Sequence, residues 1–177
     1  VAKDTTTVLA EAEIRELLAR YCRGIDRCDA DLIRSVYHED STDDHGLYKG
    51  NGYEFADFIV PLLREHYEST MHCIFQSIID VEGERASAET YAMAYDIRRD
   101  ADGNRVFEQV GCRYVDGLER RDGEWKILRR VVVMDLDTSV PAPPESGLGE
   151  SRALFQPGRR DREDLAYTAT LSPATVD

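Results

Sequence analysis

Between residues 11 and 26, apolar side chains recur at Ile14, Leu17, Leu18, Tyr21 and Ile25, a spacing of i, i+3, i+4, i+7 and i+11. That stripe covers one face of a helix and predicts an amphipathic helix with this face turned inward. Gly24 weakens the last turn, so the helix should end within residues 24–27. Asp29 suits the N-cap of a second helix, with Asp31 in its first turn and Leu32, Ile33, Val36 and Tyr37 on its apolar side. Residues 38–52 (HEDSTDDHGLYKGNG) have no apolar period and predict a loop with at most a short central strand. A third helix, from Gly52 or Tyr53 to about Tyr67, would bury Phe55, Phe58, Ile59, Leu62 and Leu63. Pro61 lies inside it and would kink or split it.

From Thr70 the pattern changes to long β-rich runs over 70–81, 86–99, 107–121 and 125–137. Glu82-Gly83-Glu84, Asp102-Gly103 and Asp122-Gly123 separate them, and Asp-Gly is a strong hairpin signal. Three consecutive hairpins predict an antiparallel meander that twists and curves at this length. The order of helices first and strands after predicts an α+β fold: a cone-shaped curved sheet with three N-terminal helices packed on one face. The organisation expected is an N-terminal tail over 1–10, one domain over 11–140 and a C-terminal tail over 141–177. The tail begins at Pro141-Ala-Pro-Pro144 and has no clear period. It would lie over the domain or a neighbouring subunit, with Leu154, Phe155 and Tyr167 as possible anchors, or be disordered.

The chain has 177 residues, enough for one substantial core, with 42% hydrophobic and 32% charged residues. Its net charge of −13 argues against nucleic acid and anionic membranes as partners, since both would repel it. No apolar run is long enough to span a bilayer, and the polar N-terminus lacks a signal-peptide core, so the cytoplasm is the expected location. Cys22, Cys28, Cys73 and Cys112 form no CxxC pair and read as free thiols. His38, His45 and His66 fall in loops or at helix ends and are expected in solvent. His38-Glu39-Asp40 and Asp43-Asp44-His45 lack a converging ligand spacing, so no metal site is expected. No phosphate-binding loop or nucleophile elbow occurs, and no cofactor is expected.

The chemistry-bearing residues stand at element ends. Asp26 closes the first helix, with Tyr21 five residues before it, and His72 opens the first long strand. Imidazole and carboxylate together make a general base at neutral pH, and a phenol can protonate or hold a leaving oxygen. Taken alone, however, a single histidine at a strand start is more often structural. Along the second strand, alternation sets Tyr91, Met93, Tyr95 and Ile97 on one face and Ala92, Ala94 and Asp96 on the other. Burying Asp96 would require a partner, which makes an exposed Asp96 the cheaper outcome. Alternation also separates Arg129 from Arg130, and Arg129 is the one favoured to face the pocket and anchor an anionic group. Arg129, Tyr95, Asp96 and Tyr48 are taken as candidate substrate-binding residues.

Three stretches, EIRELLARYCRGIDRCDADLIRSVYHED (13–40), STMHCIFQSIIDVEGERASAETY (69–91) and GCRYVDGLERRDGEWKILRRVVVMD (111–135), resemble the SnoaL-like branch of the nuclear-transport-factor-two-like superfamily. GRRDREDLAY (158–167) also resembles a segment common in these proteins. The resemblance implies the cone fold and a homodimer or homotrimer, with the open sheet face as the natural interface. It further implies that His72, Asp26 and Tyr21 form a catalytic set. Scytalone dehydratase, bile-acid 7α-dehydratase and lindane dehydrochlorinase eliminate without a cofactor through such an Asp–His pair. The expected function is therefore a lyase of dehydratase type on a small cyclic, aromatic or steroid-like molecule, with isomerisation or C–C cleavage needing the same base. The same fold also hosts small subunits of ring-hydroxylating dioxygenases and polyketide cyclases, which remain the alternatives.

Overall fold

A computed structural model describes residues 3–143 and 147–168. Residues 1–2, 144–146 and 169–177, which include two parts of the expected C-terminal tail, lie outside the described residues. Helix α1 runs Thr5–Asp26, starting inside the segment expected as an N-terminal tail. Its first turn has no apolar period, but Asp4 caps it by accepting a hydrogen bond from the Thr7 amide at 2.7 Å. The stripe Ile14, Leu17, Leu18, Tyr21 and Ile25 is buried as expected. Asp29 caps α2 (Ala30–Ser35) through the Leu32 amide. Gly24 permits the two helices to meet, because a Cβ there would sit 2.8 Å from Ile33 Cγ1 and 3.1 Å from its backbone nitrogen. Helix α3 (Phe55–His66) is continuous through Pro61. Pro61 and Asp57 are both exposed, so the Asp57 carbonyl deprived of its helical partner faces water.

Among the described residues, six strands form one sheet in the order β2-β1-β6-β5-β4-β3. The expected meander is β3 (Tyr67–Glu82), β4 (Arg85–Arg99), β5 (Arg105–Arg121) and β6 (Glu124–Pro141), all antiparallel. At the β5–β6 turn both Asp122 (φ 53°) and Gly123 (φ 84°) are left-handed, matching the strand twist. The segment expected as a loop is in fact β1 (Tyr37–Asp44), parallel to β6, followed by the short antiparallel β2 (Lys49–Asn51). Two of the inward positions of β1 are Ser41 and Asp43, polar residues, so the strand carries no apolar alternation.

Helix α1 packs against β3 and β6, and the three helices close one face of the sheet into a cone. No helix among the described residues is long and apolar enough to cross a membrane. The C-terminal segment docks by charge rather than by apolar anchors. Arg162 pairs with Asp29 (2.8 and 3.1 Å), the Tyr167 hydroxyl donates to Asp29 (2.9 Å), and Arg23 lies 4.2 Å above the Tyr167 ring. Arg27 meets the buried Asp164 at 3.3 Å, and Arg160 donates to the carbonyls of Leu63 and Tyr67. Leu154 and Phe155, by contrast, are exposed.

Candidate active site

The cone encloses a cavity of about 230 Å³. Its walls are mainly apolar, built from the inner faces of α1, α3, β4, β5 and β6, with Phe55, Phe58 and Ile59 of α3 prominent. Polar groups reach it at a few points: Tyr21, His45, Tyr67, His72 and Asp96. An apolar hollow with a few converging polar groups is the usual form of a small-molecule site. A larger open groove of about 700 Å³ lies outside, and both of its arginines are already paired: Arg34 with Asp31 and Arg121 with Asp40 and Glu119.

Asp26 ends α1 where the chain turns toward α2, and His72 lies near the start of β3, the sheet's edge strand. His72 Nδ1 is 2.7 Å from Asp26 Oδ1. The same carboxylate accepts the His72 backbone amide at 3.0 and 3.2 Å. Main chain and ring thus grip one carboxylate, which fixes both partners. An ionised Asp26 requires Nδ1 to carry its hydrogen and leaves the lone pair on Nε2. The pair is mostly shielded, with side-chain exposures of 15% for His72 and 11% for Asp26.

Asp96 lies on the cavity face of β4 with Ala92 and Ala94, all buried, which corrects the expectation of an exposed carboxyl. Among the described residues its Oδ1 has no hydrogen-bond partner. Burial raises its pKa to about 6, against the pull of His72 and with the help of the Asp26 charge. The folded state therefore favours the protonated form. That contribution is complete below the ordinary carboxylate value of 3.8 and is lost as pH rises through about 6. Asp96→Asn cannot ionise. It should therefore stabilise the protein by roughly 2–3 kcal/mol at pH 8 and by nothing at pH 3, as read from urea unfolding at the two pH values.

Tyr21 also reaches the cavity, but its hydroxyl lies 2.9 Å from His45 Nε2. His45 was expected in solvent; instead it stacks on Phe55 at 4.3 Å, and its Nδ1 is bonded to Asp43. Asp43 also accepts the Tyr37 hydroxyl at 2.6 Å. Burial, opposed by Arg130 and aided by Asp43, holds the Tyr21 phenol far above its ordinary range, so it stays protonated.

The remaining expected binding residues are elsewhere. Arg129 is exposed and Arg130 is the buried one. The register slips there, with Leu118 opposite Ile127 but Gly117 opposite Arg129. Leu128 is thus a bulge that reverses the alternation on which the choice of Arg129 rested. Arg130 does not line the cavity; it pairs with Asp116 (2.8 and 2.7 Å) behind the rings of Tyr21 and Tyr114. Tyr95 points to the opposite sheet face from Asp96, where it stacks with Phe107 at 6.3 Å. Tyr48 packs behind the wall on Phe55 and Phe58, and its hydroxyl is engaged by the Asn51 carbonyl at 2.7 Å.

The family model described as a SnoaL-like domain matches residues 6–131. No curated protein sequence matches the chain. Among solved structures, a Type2 hexachlorocyclohexane dehydrochlorinase (LinA) is similar with TM-score 0.70 and 20% identity, over 81% of this chain and 100% of that one. LinA-type3 from Novosphingobium barchaimii gives TM-score 0.69 and 18% identity, over 80% and 100%. A candidate scytalone dehydratase from Novosphingobium aromaticivorans gives 0.68 and 16%, over 82% and 97%. At these identities the likeness is one of fold.

Proposed function

Since the chain belongs to the SnoaL-like domain family, we propose that it is a cofactor-independent lyase of dehydratase type acting on a small cyclic or aromatic substrate. One observation carries this reading: His72 Nδ1 sits on Asp26 while the same ring lines an apolar cavity. His72 Nε2 takes a proton from the substrate carbon next to a carbonyl, and Asp26 stabilises the imidazolium that forms. The electrons of the C–H bond become the new double bond, and the C–O bond on the neighbouring carbon breaks. Tyr21 gives its proton to the departing oxygen, which leaves as water. Asp96, protonated below about pH 6, is a second hydrogen-bond donor for the substrate. Isomerisation would use the same base with the proton returned to another carbon.

The cavity volume of about 230 Å³ falls below the roughly 300–1,000 Å³ usual for drug-sized ligands, which favours one or two rings over a steroid. Met71, Phe75 and Leu136 stand exposed on the sheet face away from the cavity, and this apolar surface supports self-association as a homodimer or homotrimer. A dioxygenase small subunit would need no base in its cone. The test is incubation of the purified protein with 3-hydroxycyclohexanone and its two-ring homologues, following the absorbance of the conjugated enone. Catalysed enone formation is expected. Absence of acceleration with every ring that binds would favour the non-catalytic alternative.

A further inference from the structure

A second histidine, bonded to a buried carboxylate, reaches the cavity from the opposite edge of the sheet. His72 belongs to edge strand β3, whereas Asp43 and His45 come from β1 and the turn into β2, at the opposite edge. Curvature brings both edges to one hollow, and both imidazoles line it. The chain of contacts runs from the Tyr37 hydroxyl to Asp43, from Asp43 to His45 Nδ1, and from His45 Nε2 to the Tyr21 oxygen. His45 is held flat against Phe55, so its ring has one orientation and its Nε2 points at one atom. Nothing in folding requires this geometry: a core tyrosine could satisfy its hydroxyl with a backbone carbonyl.

We propose that His45, held by Asp43, is a positioning residue that supplies the proton Tyr21 passes to the leaving group, so that acid and base come from separate histidine–aspartate pairs. The proposal rests on the elimination reading above and deepens it. Tyr21 alone is a poor acid, because its buried phenolate is strongly disfavoured. It can release its proton only if another arrives at the same oxygen. With His45 as imidazolium beside the Asp43 carboxylate, Nε2–H donates to the Tyr21 oxygen and the phenol hydrogen is directed away from His45. As the C–O bond breaks, the leaving oxygen takes the Tyr21 proton and Tyr21 takes the Nε2 proton. His45 ends neutral and His72 ends as imidazolium. Solvent then carries one proton from the second to the first, and no other reactant is consumed.

The test uses two compounds that report on base and acid together, 5-nitrobenzisoxazole and unsubstituted benzisoxazole. A base removes the ring C–H proton, the N–O bond breaks, and a phenolate leaves; without the nitro group that oxygen is more basic and needs more help from an acid. His45→Gln should lower the rate about 10-fold with the nitro compound and about 100-fold with the unsubstituted one. His72→Ala should lower both by the same larger factor. Equal losses on the two compounds, or none, in His45→Gln would overturn the role of His45 alone. Failure of the wild type to accelerate either compound, or nitro rates untouched by His72→Ala, would overturn the elimination reading instead. Should His45→Gln fail to fold, Asp43→Asn, which leaves the His45 ring without its carboxylate, applies the same test and must show the same unequal loss.

Discussion

His72→Ala is expected to lower enone formation from a β-hydroxy ketone by about 10²–10⁴-fold, the usual worth of a positioned general base. The fold should survive the change, because the contact that ties β3 to the end of α1 includes the backbone amide of residue 72, which still donates to Asp26. A thermal melt close to wild type combined with that loss would separate chemistry from collapse. Asp26→Asn should also be slow yet folded. The amide oxygen can still accept from the backbone, but it no longer stabilises an imidazolium. Rates within a few-fold of wild type in either variant would remove the pair from the mechanism.

Arg130→Met carries the largest expected cost in stability. The guanidinium and the Asp116 carboxylate are both fully buried and bound at two points. Tyr21, Tyr114 and Tyr37 surround the cation, with ring centroids at 4.2, 4.3 and 5.9 Å. Removing the arginine strands Asp116 without its ionic partner inside the protein, at a cost of about 3–5 kcal/mol. Arg130→Met with Asp116→Leu removes both charges and should recover most of that loss in urea unfolding. The double variant also separates stability from catalysis. If the cation only supports the fold, activity returns with stability. If it steadies the Tyr21 ring, activity remains low in a protein that is fully folded. A single variant as stable as wild type would contradict the assignment of a dry ion pair.

The readable parts of the fold were those where burial follows a period. Helix α1 announces itself through Ile14, Leu17, Leu18, Tyr21 and Ile25, and the hairpins through Gly83 and Asp122-Gly123. Strand β1 was hidden because Ser41 and Asp43 occupy inward positions that apolar residues would ordinarily mark. Strict alternation points to Arg129 instead of Arg130 because one bulge at Leu128 reverses the parity, and a local slip leaves no trace in composition. For the site, the residues Asp26 and His72 could be picked out, but their meeting across 46 positions came from the family resemblance and not from any periodicity. The burial penalty of a carboxylate points to an exposed Asp96, but the folded protein meets that penalty by favouring the neutral acid. His45 was missed because a polar loop gives no hint of which cavity it overhangs.

The proposed mechanism requires that Asp26 hold the His72 ring with its Nε2 lone pair available to a substrate. Nitrogen-15 NMR of histidine-labelled protein near neutral pH reads this without any substrate, with the resonance identified from His72→Ala. Neutral His72 should show a protonated Nδ1 and an unprotonated, pyridine-like Nε2, with that preference weakened in Asp26→Asn. An Nε2–H tautomer in the wild type, or one that ignores Asp26→Asn, would contradict it.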